Sequence, residues 1–176
     1  MAHAKTCFWA ILLVSVGVIA RCLPHAPNFS PILAIALFSA VVLPRPVALV
    51  VPLLSMFFGD LAIGFHDTMW AVYLSLLPMV AMGWLLPRFE ARVKTWLSWG
   101  VAGFLAAGFF FLTTNFAVWL DSPTYAQNWN GLVECYVMAL PFFHASVLST
   151  WVYLTGFAAV AQLHPALRPA PQTHSR

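Results

Sequence analysis

Six apolar runs, separated by prolines and charged residues, divide this chain and constrain its fold more than any other feature. They cover residues 7–23, 31–43, 47–65, 68–86, 96–120 and 131–163. Hydrophobic residues make up 62% of the chain and charged residues only 7%, too few polar groups to cover a surface that faces water. Except for the short second run, each can supply the roughly 17–25 residues that cross a hydrocarbon core. The sequence therefore predicts an all-α integral membrane protein.

The last apolar run is too long for one span. Pro141 lies inside it, where a proline removes a backbone hydrogen bond and clashes with the preceding turn. We therefore expect a short outer helix over residues 131–140 and a sixth span over residues 142–163. The sequence then predicts one six-span transmembrane domain, residues 1–164. Residues 165–176, with three prolines and no apolar periodicity, are predicted to form a disordered cytoplasmic tail.

The second apolar run follows the proline-rich stretch LPHAPNFSP, residues 23–31. Because prolines oppose helix formation, one interpretation is that this stretch reaches membrane depth and completes the crossing. Irregular backbone lies at that depth only where other helices or a water-filled pocket satisfy its polar groups. The alternative is an ordinary surface turn in which Pro31 begins the second helix.

Lysine and arginine residues are distributed unequally between the two predicted sides of the membrane. If the N-terminus is cytoplasmic, Arg21 alone lies outside, and seven basic residues lie inside: Lys5, Arg45, Arg88, Arg92, Lys94, Arg168 and Arg176. Because cytoplasmic loops of membrane proteins carry an excess of basic residues, the sequence predicts that both termini are cytoplasmic. The outer face then receives the loops at residues 24–30, 60–68 and 120–130.

Residues 57–73, FFGDLAIGFHDTMWAVY, place Asp60, His66 and Asp67 between two apolar runs. A charged side chain at a helix centre costs about 2.5–3.5 kcal/mol on insertion scales. Asp60 lies within the apolar pattern of the third run, so we expect it to serve a binding site or to form a buried pair with a neighbouring His or Asn. His66 costs little at an interface and is equally consistent with plain exposure.

The predicted outer side collects hydrogen-bonding side chains and flat aromatic rings, which are typical of small-molecule pockets. Trp and Tyr also form belts at membrane interfaces, which is the simpler explanation for Trp119. We expect His25, Asp60 and His144 to line one outer cavity together. The candidate ligand-binding residues are His25, Asn28, Asp60, His66, Asp67, Tyr73, Asn115, Trp119, Tyr136 and His144.

Several classes of function lack their sequence signatures. The chain has no glycine-rich phosphate loop and no HExxH or GxSxG motif, so we predict neither a nucleotide site nor an enzyme. Cys7, Cys22 and Cys135 do not have zinc-site spacing, and we predict neither a resident metal nor a cofactor. The net charge of +3 arises from scattered basic residues rather than from a basic patch, so nucleic acid is not a predicted partner.

Four segments carry a resemblance to a known family: LPHAPNFSPILAIALFSA, FFGDLAIGFHDTMWAVYLS, TTNFAVWL and GLVECYVMALPFFHAS. Over residues 21–150 the chain resembles small bacterial membrane proteins that are similar to the substrate-binding S components of energy-coupling factor (ECF) vitamin transporters. The resemblance implies an S-component-like six-helix bundle in the bacterial cytoplasmic (inner) membrane. It also implies a vitamin-like ligand that binds from outside and is released inward when the bundle topples in the lipid bilayer.

The cobalamin-specific branch of the S components is the most similar one. The resemblance places four residues among its polar site positions: His25, Asp60, Tyr73 and His144. That branch can ligate cobalt with a cysteine near the loop between the third and fourth helices. Residues 65–73 contain no cysteine, so with a cobalamin ligand this role would pass to His66.

S components that dock on a shared coupling protein carry an AxxxA motif on the first helix. The corresponding positions here are Ala10, Val14 and Val18, so both an energy-coupling module and solitary transport are compatible with the resemblance. The leading hypothesis is a membrane protein for uptake of a vitamin or similar micronutrient. The alternative is a structural or accessory membrane subunit whose outer loops bind a protein. Uptake predicts an outer cavity, and an accessory subunit predicts a flat apolar outer face.

Overall fold

The computed structural model describes residues 2–87 and 93–163, and within these residues it contains six α-helices and no strand. The helices are α1 (Ala2–Cys22), α2 (Ile32–Val42), α3 (Arg45–Ile63), α4 (Met69–Gly83), α5 (Val93–Asp121) and α6 (Trp129–Leu163). The predicted all-α class is confirmed. The predicted tail, residues 165–176, lies outside the described residues.

Four of the described helices, α1, α3, α5 and α6, are long and apolar enough to cross a membrane. This agrees with the predicted membrane protein. α2 and α4 have only 11 and 15 residues, which corresponds to lengths of about 16 and 22 Å. The sequence predicts the short α2, but it also predicts a longer fourth helix, over residues 68–86, than the one observed.

α2 is the central helix of the bundle. Residues 31–41 are all buried, and α2 packs against each of the other five helices. A helix that is apolar on all sides can bury its whole circumference. The one hydroxyl of α2 belongs to Ser39, which donates to the carbonyl oxygen of Ala48 in α3 (3.1 Å). Because α2 is short, it leaves space beyond its first residue, at the end of the bundle where α1, α3 and α5 end. We call this end the cavity end.

α6 continues without interruption through Pro141, so the predicted break between residues 140 and 142 is wrong. α3 and α4 likewise continue through Pro52 and Pro78. A helix satisfies nearly all of its backbone groups internally, and in hydrocarbon this advantage outweighs the local cost of an interior proline, about 3 kcal/mol. Residues 131–140 and 142–163 are therefore parts of one helix.

The loops at the cavity end contain two residues with positive φ. Gly64 has φ 104°, a conformation that glycine adopts readily, and its N–H donates to the carbonyl oxygen of Asp60 (2.8 Å), which ends α3. Asn28, in the loop before α2, has φ 60°, which asparagine tolerates better than most residues. Both residues thus lie in loops that line a cavity at this end, through Asn28 and His66.

Gly83→Ala should destabilise the bundle, because Gly83 is where α4 approaches α2 most closely. A Cβ atom at this position would lie 2.6 Å from both the Cβ of Ala40 and the carbonyl oxygen of Leu37. We expect the resulting overpacking to lower the free energy of unfolding by about 1–3 kcal/mol, measured by denaturant titration in detergent. Gly156→Ala on α6 is the matched control, since no atom lies within 4 Å of a Cβ there. Equal effects of the two substitutions would contradict the predicted contact.

Candidate functional site

A cavity of about 390 Å³ lies at the cavity end of the bundle. Each of the six helices contributes to its wall, through Arg21, Ile32, Met56, Val72, Phe110 and Ala139 respectively. The three loops at this end contribute Asn28, His66 and Tyr125. The wall thus combines apolar side chains with a nearly equal number of polar ones, and small-molecule sites likewise join apolar surface with placed polar groups.

Asp60 forms a cluster that joins three helices behind this wall. Its side chain is 0% exposed, and its Oδ1 accepts a charge-assisted hydrogen bond from Nη2 of Arg21. Its Oδ2 accepts a hydrogen bond from the hydroxyl of Tyr73 (2.7 Å). Arg21 lies in the last turn of α1, Asp60 near the end of α3, and Tyr73 in α4. The cluster therefore stabilises the relative position of three helix ends, and the pairing compensates charges that would be costly near hydrocarbon.

Gly59 makes room for the arginine. A Cβ atom at Gly59 would lie 2.6 Å from Cδ of Arg21, so the Arg21 side chain passes directly over the α3 backbone. Nη1 of Arg21 donates to Sδ of Met56 (3.4 Å), and both residues line the cavity, whereas Asp60 does not. The sequence predicts a His or Asn partner for Asp60, but its charged partner is Arg21.

The α5 and α6 walls carry polar side chains that bond mostly within their own helices. Nδ2 of Asn115 donates to the carbonyl oxygen of Phe111 (2.7 Å), and the hydroxyl of Thr114 donates to that of Phe110 (2.7 Å). Ser146 donates to Phe142 in the same way (3.0 Å). These side chains do not need a ligand to satisfy their donors. Their oxygen atoms nevertheless provide acceptors along the cavity wall.

Besides Asp60 and Tyr73, two predicted site residues support the site without lining it. Nε1 of Trp119 donates to the carbonyl oxygen of Ala126 (3.0 Å), which fastens the loop that carries Tyr125 to the end of α5. The hydroxyl of Tyr136 donates to the carbonyl oxygen of Leu112 (2.7 Å) and so ties α6 to α5. Tyr73, through Asp60, belongs to the same supporting shell.

Three predicted residues lie apart from the cavity wall. His25 is exposed, and its Nδ1 donates to the carbonyl oxygen of Leu23 (2.7 Å). Asp67 and His144 are exposed as well, and neither lines the cavity. The structure therefore does not bring His25, Asp60 and His144 together in one cavity. It does bring together Asn28, His66 and Asn115.

Sequence reasoning missed Arg21 as a site residue, because it treated this arginine only as a topology signal. The available clue was the position of Arg21 at the end of one apolar run and of Asp60 at the end of another, on the same predicted side. Cys135, Ser146 and Ser149, which also line the cavity, gave no signal of their own, because small polar residues are common in apolar helices.

A second, wider depression of about 560 Å³ lies on the outside of α5 and α6. It is lined by Trp96, Leu97, Gly100, Val101, Phe104 and Trp151. Its wall is almost wholly apolar, and the polar atom of Trp151, Nε1, donates to the carbonyl oxygen of Gly100 (3.0 Å). Such a surface is typical of contact with lipid chains. In the described part of the chain, no group of three potential metal ligands occurs.

A model of one protein family matches residues 2–172, almost the whole chain. The chain belongs to DUF6580, a family of unknown function. Comparison with curated proteins and with solved structures finds no match. The family match covers every residue of the cavity wall and of the Arg21, Asp60 and Tyr73 cluster.

Proposed function

We propose that this protein is a membrane uptake protein that binds a vitamin or similar micronutrient in the cavity and translocates it inward. The cavity of about 390 Å³ is the observation that carries the proposal. All six helices and all three loops of the cavity end contribute to it. A site built by every element of a bundle can change shape when the helices move relative to one another, as transport requires.

The volume of the cavity favours a ligand of modest size. Small-molecule pockets span about 300–1000 Å³, and this one lies near the lower limit. A cobalamin is larger than this cavity, so only part of it would fit inside, with His66 as the lining residue available to its cobalt. We therefore propose a smaller vitamin-like ligand as the primary candidate, and a cobalamin as the larger variant of the same proposal.

The surface of α1 bears on how the proposed transport would be coupled to energy. Ala10 and Val14, at the positions of the AxxxA motif, are partly buried against the core, and Val18 is partly buried as well. A coupling protein would have limited access to this face. This favours an S-component-like protein that acts alone or docks through another surface.

The alternative function, a structural or accessory subunit that binds a protein through its outer loops, has less support. Such a subunit needs a flat apolar outer face, whereas this bundle has a cavity with polar groups at the corresponding end. The uptake function explains that cavity, and the accessory function does not.

Filling the cavity should abolish ligand retention. Ala139 is buried and lines the cavity, so Ala139→Phe places a ring in the space that a ligand would occupy. We expect mass spectrometry of the purified parent protein to find a retained small molecule. In the variant the retained amount should be lower by about tenfold or more, which corresponds to a loss of about 1.4 kcal/mol of binding free energy.

Val137→Phe on the same helix is the matched control, because Val137 is exposed and outside the cavity. It should retain the molecule as the parent does. In vesicles that contain no other protein, the parent and this control should both accumulate the labelled molecule. Equal retention by all three proteins, or no retained molecule and no accumulation by the parent, would contradict the proposed function.

A further inference from the structure

The guanidinium of Arg21 has donors that its protein partners use only weakly. Nη2 is engaged by the carboxylate of Asp60, but Nη1 contacts Sδ of Met56 (3.4 Å). A thioether sulfur is a weak acceptor, and a guanidinium carries five N–H donors in all. Since Arg21 and Met56 both line the cavity, an oxygen atom of a ligand can replace the sulfur contact with a stronger hydrogen bond.

The cavity wall contains no acidic side chain among the described residues. Asp60 is buried without lining the cavity, and Asp67, Asp121 and Glu134 are exposed and outside the wall. The first residues of α2, Ile32 and Leu33, line the cavity, and the start of a helix carries partial positive charge. The Arg21 and Asp60 pair is neutral as a whole, but its positive member lines the cavity and its negative member does not. We therefore expect a positive potential at the wall.

Asp60 and Tyr73 also hold the arginine in one orientation. The Asp60 carboxylate accepts from Arg21 on one oxygen and from Tyr73 on the other, and Gly59 allows the arginine stem to lie close against α3. An arginine that is already positioned loses less conformational freedom when a ligand binds, and its planar donors match the oxygens of a carboxylate.

We propose that the ligand of this cavity is a small, water-soluble organic anion, such as a carboxylate, and that Nη1 of Arg21 binds its anionic group. This inference rests on the uptake function proposed above and specifies its substrate class. Met56 provides the contact that the ligand displaces. The apolar side chains of the α5 and α6 wall, among them Phe110 and Phe142, receive the rest of the molecule.

Cys135 is a natural reporter of the charge inside the cavity. It is buried and lines the cavity, whereas Cys7 and Cys22 are exposed and can be replaced by serine. Three methanethiosulfonates serve as probes: the anionic sulfonatoethyl and the cationic trimethylammonioethyl reagents, which are similar in size, and the smaller neutral methyl reagent. Each forms a mixed disulfide with the Cys135 thiolate and releases methanesulfinate. Their rates are normalised to those measured with a small thiol in solution.

We expect the anionic reagent to modify Cys135 about tenfold faster than the cationic one, because a cleft of one sign concentrates counter-ions. The preference should fall to the part that the start of α2 contributes in Arg21→Gln/Asp60→Asn, which removes both members of the ion pair and leaves no unpaired buried charge. Arg21→Lys retains the charge and should retain the preference. At an exposed reporter cysteine, Asn128→Cys, the ratio of the anionic to the cationic rate should be the same with and without the ion pair. This control shows that exposed acidic residues do not cause the difference measured at Cys135.

The outcomes separate this inference from the function on which it rests. In the parent protein, the neutral reagent could modify Cys135 while the anionic reagent reacts no faster than the cationic one. That result would overturn the anionic ligand and leave the uptake site intact. This measurement needs no variant of Arg21, so it decides even if the double variant fails to fold. A preference that is undiminished in a folded double variant would also overturn the role of Arg21. No modification by any reagent would mean that the cavity is closed to small molecules, which would contradict the uptake function as well.

Discussion

Arg21→Met should be among the most destabilising single substitutions in this chain and should lower the free energy of unfolding by about 3–5 kcal/mol. Methionine retains the length and apolar stem of arginine but leaves the Asp60 carboxylate, which is 0% exposed, without its charged partner. A buried charge that has lost its partner is far more costly than the pair itself. Denaturant titration of the purified protein in detergent micelles measures the effect.

Two further variants test whether the lost pairing is the cause. Tyr73→Phe removes only the hydroxyl that donates to Asp60 (2.7 Å) and should cost about 1.5–3 kcal/mol. Arg21→Met/Asp60→Leu removes both charges and should recover most of the stability lost in Arg21→Met, because apolar replacement of a buried pair is often nearly neutral. This account would be contradicted if Arg21→Met were at least as stable as Tyr73→Phe. It would also be contradicted if the double variant were no more stable than Arg21→Met.

The unusual position of Asp60 could be predicted from the sequence, but its partner could not. An acid inside an apolar pattern stands out at once, since the membrane makes it costly. Arg21, at the end of another apolar run, is equally unusual, yet snorkelling to the interface is a sufficient explanation for a terminal arginine. Only the packing of α1 against α3 brings the two together. Pairing between distant helices depends on their rotation, which local sequence does not specify.

The position of His144 shows how the predicted helix break affected the site prediction. A helix that begins after Pro141 places His144 in its first turn, beside the outer loops. In the continuous α6 the cavity is lined by a stripe of residues with helical spacing: Cys135, Ala139, Phe142, Ser146 and Ser149. Each residue advances by about 100° around a helix, so His144, two positions from Phe142 and from Ser146, lies on the opposite face. Its exposure follows from that register.

An impermeant thiol reagent added to intact cells should label Asn128→Cys and should not label Pro44→Cys, in a protein whose three native cysteines are replaced by serine. Both positions are exposed, Asn128 at the cavity end and Pro44 at the opposite end, immediately before α3. Basic residues favour the cytoplasmic side. At the end opposite the cavity, the guanidinium of Arg45 lies over the ring of Trp84 (5.5 Å), and Lys94 is exposed.

The ion pair strengthens this prediction, because it accounts for Arg21, the one basic residue that does not lie on the predicted cytoplasmic side. Arg21 is the single basic residue predicted to be outside, and its charge is compensated by Asp60; the cavity end therefore carries no net positive charge from this residue. Labelling at position 44 should appear only after the cells are permeabilised. The reverse pattern would place the cavity on the cytoplasmic side. It would contradict uptake from outside, and with it an anionic uptake substrate, but it would leave the contact between Arg21 and Asp60 unaffected.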